Sequence, residues 1–112
     1  MAAGAGFMHG AAMCESEGVP IKVYYEQREA AFALIRELAD AWLPRVVNRD
    51  YADSEATMKV HADGVEMLVR LAREAGIDTS FPVALHEVYS RPVYRGQGDA
   101  DAAVMFETFI AP

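Results

Sequence analysis

The most regular pattern of polar and apolar positions runs from residue 54 to residue 82 and predicts one long helix. Its charged residues recur every three or four positions: Lys59, Asp63, Glu66, Arg70 and Arg73. Two other rows are largely apolar; one holds Met58, His61, Val65, Leu68, Ala72 and Ala75, and the other holds Val60, Gly64, Met67 and Leu71. Because only one stripe is polar, we expect this helix to pack against neighbours on two sides, which first indicates an assembly.

Both ends of this helix carry signals. Ser54 is expected to cap its start, because a serine hydroxyl can accept a hydrogen bond from a free backbone N–H of the first turn. Gly76 is expected to end it in the left-handed conformation, and Ile77 fits the hydrophobic contact that follows such a cap.

The remaining chain is also predicted to be helical, over residues 2–17, 21–48, 81–91 and 101–110. Pro44 is expected to kink or interrupt the second of these helices, and Pro92 to bend or restart the helix that contains it. No segment shows the two-residue alternation of a strand. The sequence therefore predicts an all-α fold, a bundle of five to six helices in one domain spanning residues 1–112.

The composition and net charge disfavour several classes of binding partner. The chain has 112 residues, 53% hydrophobic residues and a net charge of −7. That charge disfavours nucleic acid and anionic membrane surfaces. The apolar N-terminal run lacks the basic start of a signal peptide and is too short to span a bilayer. With Cys14 as the one cysteine, no internal disulfide can form, and a cytoplasmic location is expected.

Candidate chemistry is sparse. Gly4, Gly6 and Gly10 approach a dinucleotide-binding motif, but no strand can precede them, so close helix packing explains them better. The three histidines lack metal-ligand spacing, which gives no metal site. His61 interrupts an apolar row of the long helix, and both a core histidine and a pocket residue fit that position. The residues alone provide no complete catalytic set.

The ordered segments GFMHG, ESEGV, DYADSEATMKVHADGVEMLVRLAREAGIDTSFP, VYRGQGD and MFETF together resemble the C-terminal helical domain of NADPH-dependent imine reductases and reductive aminases. These enzymes belong with the 3-hydroxyisobutyrate and 6-phosphogluconate dehydrogenases. The resemblance covers nearly the whole chain and is strongest over residues 50–99.

The resemblance implies a two-domain enzyme in which a Rossmann domain binds NADPH and the helical domains of two subunits exchange elements in a homodimer. Residues 1–17 then correspond to the second half of the interdomain helix, and the Rossmann domain is missing or separate. By position, Val60 and His61 match residues that line the substrate pocket from the partner side. No residue matches the family's proton donor, so no catalytic residue is assigned, and this chain alone is expected to bind no cofactor.

Two functions remain open at this stage. The first is the substrate-side and dimerisation domain of an imine reductase-like oxidoreductase, inactive alone because it has nowhere to hold a nicotinamide. The second is a free-standing helical dimerisation or binding protein without catalysis.

Overall fold

The computed structural model describes residues 1–112 and contains helices and loops without a strand. The six α-helices are α1 (Ala2–Ser16), α2 (Ile21–Glu26), α3 (Arg28–Asn48), α4 (Met58–Glu74), α5 (Ser80–Tyr94) and α6 (Met105–Ile110). A short 3-10 turn, Ala102–Val104, precedes α6. The only strand-like pairing is an isolated antiparallel bridge between Thr57 and Asp101. The predicted all-α class is confirmed.

The centre of the fold is the pair α4 and α5, which pack along their length. Met58, Ala62 and Ala72 are the buried residues of α4, and they recur at the spacing of a single helix face. The hydrophobic core lies at the start of α4, where Met58 meets Ala102 and Val104 of the 3-10 turn. The core therefore joins the long helix to the C-terminal segment.

The predicted start of the long helix is wrong by three residues. α4 begins at Met58, and Thr57 is its cap, with Thr57 Oγ1 accepting from the backbone N–H of Val60 over 3.4 Å. Ser54 Oγ lies instead 2.7 Å from both Ala56 O and Asp101 Oδ2, so its hydroxyl is engaged in the loop. The predicted end is confirmed, because Gly76 has a φ of 70° and the Ile77 N–H donates to Ala72 O.

The predicted helix over residues 21–48 is divided at Gln27 into α2 and α3. Pro44 does not interrupt α3, which continues to Asn48, and the side-chain amide of Asn48 donates to Pro44 O over 3.0 Å. Pro92 likewise lies inside α5 without restarting it. Its ring is fully buried, and this packing offsets the hydrogen bond that a proline removes from a helix.

The chain exposes more surface than its mass requires. Its accessible surface is 7483 Å² for 12.3 kDa, whereas a folded monomer of that mass typically exposes roughly 6,100 Å². Its radius of gyration is 15.1 Å, against about 13 Å for a compact domain of this length. Neither α1 nor α3 contains a buried residue. The fold thus leaves apolar side chains of α1 and α3 exposed, among them Met8, Phe32 and Leu43.

No helix of the chain is long and apolar enough to cross a membrane.

Candidate functional site around His61

His61 is half-buried between two aromatic rings from neighbouring helices. The Trp42 ring of α3 meets it edge to face, with centroids 5.6 Å apart and an interplanar angle of 86°. The Tyr89 ring of α5 lies 6.3 Å away at 49°. We refer to Trp42, His61 and Tyr89 as the aromatic cluster; it joins α3, α4 and α5 beside the hydrophobic core.

The polar atoms of the aromatic cluster have no hydrogen-bond partner within the chain. The one fully buried side-chain nitrogen or oxygen without a partner is His9 Nε2. The indole N–H of Trp42, the ring nitrogens of His61 and the Tyr89 hydroxyl therefore reach the surface. Burial of the Tyr89 ring raises the pKa of its hydroxyl above the ordinary tyrosine value. The cluster offers three unused polar groups on an apolar support.

Val60 and His61 lie on different faces of α4. Val60 is 60% exposed and belongs to another row of the helix. We call Val60, Gly64, Met67 and Leu71 the exposed row; its Met67 and Leu71 side chains are 50% and 43% exposed. Successive residues on a helix are separated by about 100°, so neither side chain can reach the other's face. Within one chain, the structure does not bring the two predicted substrate-binding residues together.

A buried carboxylate fixes the start of α4. Asp101 is 7% exposed; its Oδ1 accepts from the Ala103 N–H at 2.9 Å, and its Oδ2 lies 3.4 Å from Arg45 Nε. Next to it, the Met58 N–H donates to Ala100 O over 2.7 Å. These contacts hold the first turn of α4, which carries His61, at a defined position against α3 and the C-terminal segment.

The glycine motif lies inside α1. A Cβ on Gly10 would lie 2.5 Å from the Tyr24 hydroxyl oxygen, and one on Gly6 would lie 3.7 Å from Phe81. Close packing is thus confirmed at these two glycines, whereas Gly4 has no neighbour within 4 Å. These residues do not fit a dinucleotide, because they lie within a helix and not in the loop before a helix terminus, where a pyrophosphate is held.

The other histidines lie apart from the aromatic cluster. His9 packs against Phe81 with ring centroids 5.7 Å apart, and His86 Nε2 lies 3.0 Å from the buried Ser90 Oγ. No three His, Cys, Asp or Glu side chains come together where they could hold a metal ion. His86 also borders a charged groove of about 690 Å³ between α4 and α5, with Asp63, Glu66, Arg70 and Arg73 along it.

Sequence reasoning did not identify Trp42 and Tyr89 as neighbours of His61. Tyr89 follows His61 by a helix and a turn, and Trp42 precedes it across an irregular loop. The apolar face of α3 includes Trp42 in its pattern, but no spacing rule relates that face to position 61. Only the packing of three helices places these rings together.

Comparison with known proteins identifies the family. The model of the NADPH-dependent reductive aminase-like C-terminal domain matches residues 1–111. No curated protein sequence matches the chain.

Solved structures share the fold. An imine reductase from Bacillus cereus has a TM-score of 0.92 and 20% identity, over 99% of this chain and 39% of that protein. An imine reductase from Pseudomonas sp. has a TM-score of 0.91 and 19% identity, over 96% and 38%. A reductive aminase from Aspergillus terreus, solved with NADPH and ethyl levulinate, has a TM-score of 0.87 and 19% identity, also over 96% and 38%. The chain thus spans less than half of each solved relative.

With a helical fold shared by imine reductases and a family match over nearly every residue, the chain belongs to the family of NADPH-dependent reductive aminase-like C-terminal domains.

Proposed function

We propose that this chain is the substrate-side and dimerisation domain of an NADPH-dependent oxidoreductase that reduces imines or forms amines reductively. The observation that carries the proposal is the family match over residues 1–111, in a chain that spans about 38% of the length of solved relatives. The solved relatives are named imine reductase and reductive aminase, and one of them was solved with NADPH. In this proposal the cofactor is held by a Rossmann domain, on the same polypeptide or on another.

The role of these 112 residues is to bind and orient the substrate. His61 is the residue we assign to substrate contact, because its ring nitrogens are unpartnered and its ring is supported by Trp42 and Tyr89. Val60 lies on another face, so it would reach a substrate only in a site completed by a second chain. The reduction chemistry belongs to the cofactor domain, and no residue of the chain is assigned as proton donor.

Dimerisation is supported by the surface of the chain. The exposed row on α4 and the apolar side chains of α3, such as Phe32, Leu34 and Leu43, leave water in contact with extended apolar area. Soluble monomers seldom expose such faces. The accessible surface exceeds the usual monomer value by more than 1,000 Å², which is on the scale that each subunit buries in a large interface. We therefore propose a homodimer in which α1 is the second half of an interdomain helix.

A second candidate is a free-standing dimerisation or binding protein without catalysis. The exposed apolar faces support this candidate as much as the first one, because a partner chain would cover them whether or not a cofactor is bound. With one cysteine, Cys14, and no disulfide, either form suits the cytoplasm, where we place it.

Light scattering and an NADPH assay test the proposal together. The purified chain should have a mass of about 25 kDa, twice that of one subunit. It should leave NADPH unoxidised with a cyclic imine, and should support imine reduction once joined to the N-terminal domain of a solved relative. In that joined enzyme, His61→Ala should raise KM more than Lys59→Ala, a matched change on the solvent stripe. A dimer that remains inactive in every joined form would favour the non-catalytic candidate, and a monomer would reject both.

A further inference from the structure

The ring of His61 has no hydrogen bond that could set its orientation. Its backbone N–H continues the first turn of α4 by donating to Thr57 O over 3.2 Å, but its imidazole nitrogens contact no donor or acceptor of the chain. A histidine in a functional site is normally oriented by a hydrogen bond on the ring nitrogen that does not react. Here the chain provides no such bond, which leaves the packing of the ring against its neighbours as the contact that can orient it.

The packing of Trp42 and Tyr89 can provide that contact. Edge-to-face rings at 5.6 Å with an angle of 86° lie in the favoured arrangement for aromatic pairs. The second ring, at 6.3 Å and 49°, comes from a different helix and so restricts a second direction. Both rings pack on the core formed by Met58, Ala102 and Val104, which keeps them from moving independently.

We propose that Trp42 and Tyr89 are positioning residues that fix the orientation of the His61 ring and leave both its nitrogens free for a ligand. This inference rests on the proposed role of His61 in substrate contact. The ligand that suits such a site is a neutral amine or imine on an apolar body. It would exchange one hydrogen bond with the imidazole, whose neutral form both donates and accepts. A protonated nitrogen would in addition be attracted to the faces of the Trp42 and Tyr89 rings.

The test measures, in the isolated chain, how fast each of the three histidines is chemically modified. Diethyl pyrocarbonate acylates accessible neutral imidazole nitrogens, and peptide mass mapping separates His61 from His9 and His86. Trp42→Leu and Tyr89→Leu should each raise the His61 rate roughly two- to tenfold, the range set by the loss of one aromatic pair. Trp42→Phe and Tyr89→Phe retain a ring and should stay near the wild-type rate. His9 and His86 should not respond, because a general loosening of the fold would raise all three rates.

Proton NMR of the wild-type chain gives a second test that does not depend on any variant. Ring protons of His61 should show nuclear Overhauser contacts to ring protons of both Trp42 and Tyr89. If either contact is missing, or if a folded leucine variant leaves the His61 rate unchanged, the positioning role is wrong. Failure of the proposed function looks different: the ring contacts would persist, while His61→Ala would leave imine reduction by the joined enzyme unaffected.

Discussion

The Tyr51 hydroxyl donates a hydrogen bond to Oε1 of Glu107, which ties the loop before α4 to the last helix across 56 positions of sequence. The Arg49 guanidinium donates to the same oxygen over 2.6 Å. The bond from Tyr51, followed by the bond from Arg49, lowers the pKa of the Glu107 carboxyl. Because the folded pKa lies below the unfolded one, this carboxylate stabilises the fold above the unfolded pKa, and the stabilisation is lost as pH falls through the folded pKa.

We therefore predict that Glu107→Gln lowers the free energy of unfolding at pH 7 and that its difference from wild type shrinks below about pH 4. Urea unfolding at pH 7 and pH 3 measures this. Glu66→Gln is the control, since the Glu66 side chain forms no hydrogen bond or ion pair in the structure. An unchanging gap between Glu107→Gln and wild type across this range would show that the ionised carboxylate is not what matters.

The buried carboxylate of Asp101 should be far more costly to remove than its exposed neighbour. Asp101→Ala deletes the acceptor for the Ala103 N–H and leaves Arg45 and Ser54 without their shared partner. We expect a loss of about 3 kcal/mol in the free energy of unfolding. Asp99→Ala changes the same net charge at an exposed position and should stay within about 0.5 kcal/mol of wild type. Chemical denaturation of both variants measures this difference. Equal losses in the free energy of unfolding would contradict the stabilising role of Asp101.

Two glycines of α1 form a matched pair for the packing of α1 on α2. Alanine normally stabilises a helix interior by up to about 1 kcal/mol relative to glycine, and Gly4→Ala should show this gain because its Cβ meets nothing. Gly10→Ala should instead lose about 1–3 kcal/mol, because its Cβ would enter the space of the Tyr24 hydroxyl, which donates to Phe7 O. Thermal unfolding measures both. The Gly10→Ala loss should decrease in a Tyr24→Phe background, and an undiminished loss there would point to another cause.

Association through α4 is tested by replacing one residue of the exposed row. Leu71→Glu places a charge on that face and should convert the proposed dimer of about 25 kDa to a monomer. Arg70→Gln changes the net charge by the same amount on the polar stripe of the helix and should leave the mass unchanged. Light scattering over a concentration series compares them. A dimer that tolerates Leu71→Glu would move the interface to α3 or α1.

Helix identity was largely predictable from the sequence because the periodic rows are long, and the end of α4 was predictable because Gly76 is suited to a positive φ. The start of α4 was not. Ser54 and Thr57 are both able to cap a helix, and the choice was decided by Asp101, which lies 47 positions after Ser54 and occupies its hydroxyl. A carboxylate so distant in sequence gives no local signal.

The contacts around His61 were predictable only in part, and its role in substrate contact stays a prediction. The position of His61 in an apolar row indicated either a core histidine or a pocket residue. The resemblance to the family favoured the pocket residue. Its orientation depends on Trp42 and Tyr89, which belong to other helices, and tertiary packing alone determines those contacts. Val60 shows that proximity in sequence is not proximity in the site, because it is adjacent to His61 in sequence but lies on another face of the helix.

The absence of a buried residue in α3 has a consequence for the order in which the chain becomes rigid. Because α3 contributes no buried residue of its own and meets the core at Trp42, amide hydrogens elsewhere in α3 should exchange with solvent through local openings, whereas those of α4 and α5 require rarer and more global openings. A newly synthesised chain would thus form the stable pair of α4 and α5 first, and most of α3 would become protected from exchange only in the proposed dimer. Until the proposed dimer forms, the 21 residues of α3, like those of α1, would be open to proteases and chaperones, so the lifetime of the chain would depend on how soon that dimer assembles.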